Sequence, residues 1–145
     1  MITLRNLSLN LTLAALACGM TLCAQQAVVS HDKSCQVTVP SGWEVNAMFG
    51  IGNSPDKKLS ISVSSPRYGS FDSLKQSAQM AYANNKVAKD TATEFELEGE
   101  ENSGKPHVYR AIPASGGKFC IADLMYESGT EAEAWAILRT VKPVK

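Results

Sequence analysis

The chain has 145 residues, of which 44% are hydrophobic and 19% charged, with four cysteines and a formal net charge of zero. That length accommodates one domain, and the composition excludes a disordered tail, a collagen-like repeat and a coiled coil. The balanced charge argues against a dedicated nucleic-acid binder, which carries a basic excess, so no nucleic-acid partner is expected.

Residues 1–24 read as a secretory signal peptide. Arg5 supplies the positive start, residues 7–23 are apolar and uncharged, and the small Ala24 precedes Gln25 and Gln26. An uncleaved membrane anchor is the rival reading, but the run is short for a span of about 20 residues, and Asn10, Thr12 and Gly19 interrupt it. Ala15-Leu16-Ala17-Cys18 approximates a lipoprotein signal with the leucine and first alanine exchanged. Membrane association is therefore expected only through a lipid on Cys18. Cleavage after Ala24 leaves 121 residues, a net charge of −1 and two cysteines, Cys35 and Cys120. The mature chain is expected in the periplasm or outside the cell, where two cysteines pair most simply as a disulfide. Their wide separation excludes a redox CxxC pair and a metal knuckle; two free buried thiols are the alternative.

Residues 25–33 are expected as a flexible lead-in and 34–145 as a single α+β domain. Cys35, Val37 and Val39 alternate with Gln36 and Thr38, the pattern of a half-buried strand. Pro40-Ser41-Gly42 is a turn by residue type, and Trp43, Val45, Ala47 and Phe49 share a phase that predicts a second strand. Residues 50–58 read as a loop. Leu59, Ile61 and Val63 alternate with serines and give the clearest strand. Phe71, Leu74, Ala78, Ala81 and Tyr82 recur at helical spacing, with Ser70 or Asp72 available as the cap. Residues 93–100 alternate again, with Phe95 and Leu97 opposite a row of glutamates. Two further strands over 106–113 and 117–127 are joined by Ala114-Ser115-Gly116-Gly117, a hairpin signature. Thr130 and Glu133 have the spacing of a capping box, and Ala134, Trp135, Leu138 and Val141 place an apolar stripe on the last helix. The predicted order is β-β-β-α-β-β-β-α: an antiparallel sheet with helices packed on it, Trp135 closing the last helix against the first strands.

Val39, Pro40, Gly42 and Trp43 form a Val-Pro-x-Gly-Trp motif at the end of the first predicted strand. With the serine-rich strand, the Ser73-Leu74 helix start and the last helix carrying Trp135, residues 34–142 resemble the PsbP-like superfamily, including DcrB-type bacterial envelope proteins. The resemblance implies an α-β-α sandwich and a non-enzymatic accessory or binding role, with a protein or envelope component as partner. It brings no family-wide catalytic residues, and no cofactor is expected.

The residues offer little chemistry by themselves. His31 and His107 read as ordinary surface histidines, since no spacing pairs either with zinc ligands. A Ser115–His107–Asp123 triad is open on spacing, because triads assemble in space; it is the basis of an alternative reading as a small secreted hydrolase. In the acidic run Glu94, Glu96, Glu98, Glu100 and Glu101, side chains at spacing two share a strand face, which puts four carboxylates in one row. They read as a solvated face that discourages edge pairing or, alternatively, as a site for Ca²⁺ or a basic peptide. Trp43 and Trp135 are in phase with apolar neighbours and read as core. Gly50 and Gly52 sit in a loop that opens no helix, so they make no dinucleotide fingerprint.

Overall fold

A computed structural model describes residues 24–145. The leader over 1–24, but for Ala24, and the lipidation candidate Cys18 lie outside the described residues. Ten strands and two helices follow in the order β1 (Gln25–Val29), β2 (Cys35–Pro40), β3 (Glu44–Asn46), β4 (Ile51–Asn53), β5 (Leu59–Ser64), α1 (Phe71–Ala81), β6 (Ala83–Asp90), β7 (Phe95–Glu100), β8 (Pro106–Pro113), β9 (Phe119–Tyr126), α2 (Glu131–Leu138) and β10 (Lys142–Pro143). The six predicted strands and both helices are present in order, joined by β1, β4, β6 and β10.

The main sheet has seven strands in the order β3-β4-β5-β9-β8-β7-β6, and a small sheet runs β1-β2-β10. Every pairing is antiparallel, as short connections require. The alternation along each strand sorts side chains onto two faces. On one face Leu59, Ile61, Val63, Val108, Ala122 and Leu124 meet the small sheet and α2 in one core, with Trp43, Trp135 and Leu138 buried among them. On the other face Phe95, Leu97, Tyr109, Ala111, Phe119 and Ile121 meet Leu74 and Ala78 of α1 in a second core. The layers are therefore α1, the large sheet, and the small sheet beside α2: an α+β sandwich with a helix on each face.

Residues 25–33 are not a flexible lead-in. Five of them form β1, paired along its whole length with β2, and Val28 is fully buried. The following turn is bound from several sides. Asp32 accepts from the hydroxyls of Ser30, Ser34 and Ser65 and from the Lys118 ammonium. Lys118, then Ser65 and Ser34, hold its carboxyl well below the ordinary range. Cys35 and Cys120 form the expected disulfide, with Cα atoms 5.4 Å apart. It joins β2 of the small sheet to β9 of the large one, and both half-cystines are fully buried.

The stretch expected as one strand over 43–49 stops at Asn46. A tight turn then exposes Met48 and Phe49, and β4 returns through what was expected as loop. Gly52 permits this return: a Cβ there would lie 2.7 Å from a Val28 methyl and 3.3 Å from one of Ile61. Ser70 caps α1, accepting from the Ser73 amide. Thr130 and Glu133 do not form a capping box. Thr130 has no side-chain cap bond to α2, because its hydroxyl donates backwards to the Glu127 carbonyl instead.

Candidate functional site: an uncovered shelf on the large sheet

Helix α1 covers only part of its face of the sheet. It packs against β7 and shields Phe119 and Ile121 at one end of β9. At the other end of β9, Asp123 and Met125 lie beside Ser62 and Ser60 of β5 in register, and Ile51 of β4 pairs with Ser62. These side chains, with His107 and Glu101, line an open depression of about 250 Å³.

Four chain segments converge on one corner of this shelf. His107 opens β8 opposite Met125, and its Nδ1 lies 2.8 Å from Asp123 Oδ1. Tyr82, just past α1, donates its hydroxyl to Asp123 Oδ2 at 2.6 Å. Its ring stands 5.7 Å from the imidazole and 5.9 Å from that of Tyr109. Gly99, the register partner of His107, makes room for it: a Cβ there would sit 2.6 Å from Tyr82 Cβ. Glu101, in the β7–β8 turn, places Oε2 3.7 Å from His107 Nε2. That turn closes with Gly104 in the left-handed region, φ +75°.

The electrostatics follow from burial and carboxylates. Burial disfavours the His107 imidazolium, but the Asp123 bond and charge, with Glu101 behind them, outweigh it and raise the pKa above its ordinary value. Burial, then the Asp123 charge, push the Tyr82 phenol far above its usual range, so it remains a donor. Burial does the same for Tyr109. His107 Nε2 is buried and has no hydrogen-bond partner.

The sequence candidates fare differently. His107 and Asp123 do come together, but Ser115 does not join them. It lies in the turn beyond the far end of β8, eight positions from His107 and so about 20 Å or more along the strand. His31 is exposed in the β1–β2 turn, its Nδ1 2.8 Å from the Met48 carbonyl. Trp43 and Trp135 are core residues, 5% and 8% exposed.

The glutamate row is not the uniform solvated face or metal site that the sequence offered. Glu96 is 3% exposed and bonded to Arg110 and Arg139. Glu94 pairs with Lys89 and Arg110, and Glu100 accepts from Asn84. These carboxylates are already engaged by cations and an amide, and no group of three metal-ligating side chains converges among the described residues. Tyr82, Ser60 and Ser62 were not singled out as site residues by the sequence. Tyr82 carries a helical phase that reads as core, and the serines read as the polar side of a strand.

Fold and site together define a small disulfide-bonded α+β domain of PsbP-like architecture, with one face of its sheet partly uncovered. The chain is similar in structure to cyanobacterial PsbP (CyanoP) from Synechocystis sp. PCC 6803, known from a solution structure. The TM-score is 0.53 over 87% of this chain and 96% of that one, at 10% identity; at that identity the likeness is one of fold. No family model matches the sequence, and no curated protein matches it.

Proposed function

We propose that this chain is an exported, non-enzymatic accessory or binding domain of the cell envelope, of the DcrB type, and that it engages its partner through the shelf beside α1. The observation that carries this reading is the uncovered part of a PsbP-like sheet, where the apolar Ile51 and Met125 flank the half-buried His107–Asp123 pair. The apolar leader and the buried disulfide support export. Neighbouring apolar and polar groups in an open depression suit recognition of another molecule's surface.

A second reading, a small hydrolase, draws on that same pair, since an imidazole held by a carboxylate at Nδ1 is the orienting half of a triad. A triad also needs a hydroxyl on Nε2, and this Nε2 has none within hydrogen-bond distance. We therefore assign the pair to binding.

The test is site-specific photo-cross-linking in cells that express the chain with its own leader. A cross-linking residue at Ile51 is expected to yield a discrete adduct in the envelope fraction. The same residue at Met80, exposed on α1, is expected to yield none. Unprocessed chain in the cytoplasm, or identical adducts from both positions, overturns the reading. So does turnover of p-nitrophenyl acetate that disappears in His107→Gln.

A further inference from the structure

The shelf contains a polar atom that its own surroundings leave unsatisfied. His107 is 7% exposed, and its buried Nε2 lacks a partner, although buried polar atoms are nearly always paired. Glu101 Oε2, at 3.7 Å, is too distant for a hydrogen bond and belongs to an exposed side chain, 58% accessible to solvent. The charged and titratable groups facing the imidazole are Asp123 from β9, Tyr82 from the end of α1, and Glu101 and Lys105 from the β7–β8 turn. The depression itself is lined by two carboxylates and two serines but by no lysine or arginine. Beside His107, its wall is hydrocarbon and thioether, from Ile51, Ile61 and Met125.

The Asp123 bond decides what Nε2 offers. With Nδ1–H donated to the carboxylate, the neutral ring presents Nε2 as a lone-pair acceptor. An acceptor beside an exposed carboxylate, at the end of an apolar track, complements a flexible hydrocarbon stem that ends in a compact cation with several donors.

We propose that the shelf is a docking site for an alkylammonium group, the side chain of a lysine projecting from a protein partner. The ammonium donates to His107 Nε2 and Glu101 Oε2, and the stem lies along Met125 and Ile51. This deepens the binding reading above and rests on it. A proton on Nε2 competes with the ligand, because it converts the acceptor into a donor and cancels one negative charge of the site. Binding therefore strengthens as pH rises through the His107 titration. By linkage, bound amine moves that titration to lower pH.

The experiment is an NMR titration of purified mature chain carrying ¹⁵N-labelled histidine. The probes are n-butylammonium, n-butanol, methylguanidinium and matched sodium chloride. At about pH 8.5 an alkyl amine is still charged while imidazole is largely neutral. There, n-butylammonium at about 10 mM is expected to shift the His107 Nε2 resonance, the affinity of a single buried group being millimolar. It is also expected to lower the His107 pKa, and butanol and salt to do neither. Glu101→Gln, at an exposed position that leaves the fold intact, is expected to weaken the response about tenfold or more.

No shift at about 100 mM amine, an equal response to butanol, or a stronger one to methylguanidinium overturns the proposal. If the amine leaves Nε2 unmoved while the Ile51 cross-link persists, the lysine chemistry falls and the binding reading stands. If the amine binds but no cross-link forms, the envelope reading falls and the ammonium site stands.

Discussion

Glu96 lies 3% exposed between the guanidinium groups of Arg110 and Arg139. Arg110 is itself 9% exposed and reaches Glu94 as well. Removing the central carboxylate leaves the buried Arg110 guanidinium with Glu94 alone, which costs about 2–3 kcal/mol. Glu96→Ala is expected to lose that much in urea unfolding, whereas Glu44→Ala, which breaks an exposed pair with Lys57, is expected to leave the unfolding midpoint essentially unchanged. The two ends of the pH scale test two other residues. The folded pKa of His107 is raised, so its contribution is fully present below the unfolded value of about 6.5 and is lost as pH rises through the folded one. That of Asp32 is depressed, so its contribution is present above about pH 4 and is lost as pH falls toward the folded value. Stability curves of His107→Gln and Asp32→Asn should each flatten in its own window alone. A curve of His107→Gln that still falls above pH 7 like the parent assigns the slope elsewhere. His107 and Asp123 were legible as a possible pair because triad reasoning asks which residues meet in space. Tyr82 was not, because its partner, 41 positions away, is set by strand register.

Helices α1 and α2 begin on similar sequence signals that fold differently. Ser70 accepts from the Ser73 amide, so Ser70→Ala is expected to cost about 1 kcal/mol. Thr130 gives its hydroxyl to Glu127, so Thr130→Ala is expected to cost less than half of that. Thermal melts of the two variants check the contrast, and equal losses contradict it. Strand β6 is exposed along its whole length, and that is why periodicity missed it. An edge strand with neither face buried has no apolar alternation to read. It carries Lys86 and Lys89 and two irregularities of register with β7, features that keep an open edge from pairing with other chains. Strand β1 escaped for a different reason: it is short, and its pairing with β2 depends on a turn pinned through Asp32, a contact made across the fold by Lys118. Gly99 shows an element shaping the site. Gly99→Ala is expected to displace the Tyr82 ring and break its bond to Asp123, and to lower stability by about 1–3 kcal/mol. A crystal structure with Tyr82 unmoved contradicts this.

At the scale of the whole molecule, two sheets and two helices are held by two cores and one covalent tie. The disulfide closes a loop of 85 residues between the sheets. Replacing both half-cystines by serine is expected to cost about 2–4 kcal/mol in reversible unfolding, much of it through the unfolded chain. Alkylation of the protein under denaturing, non-reducing conditions is expected to label neither Cys35 nor Cys120. Two labelled thiols contradict the pairing.

The sequence by itself determined the antiparallel α+β class and the apolar faces of β2, β5 and β7, and it made Cys35 and Cys120 candidates for a disulfide that the structure forms. All of these rest on local periodicity, turn chemistry or residue count, which the chain carries in single segments. Only the tertiary structure decided where α1 leaves the sheet bare, and that His107, Asp123, Tyr82 and Glu101 meet at that edge. It also decided that Glu94 and Glu96 are answered by arginines from β8 and the end of α2. Those outcomes depend on strand register and helix placement, which are settled by contacts between segments far apart in the chain.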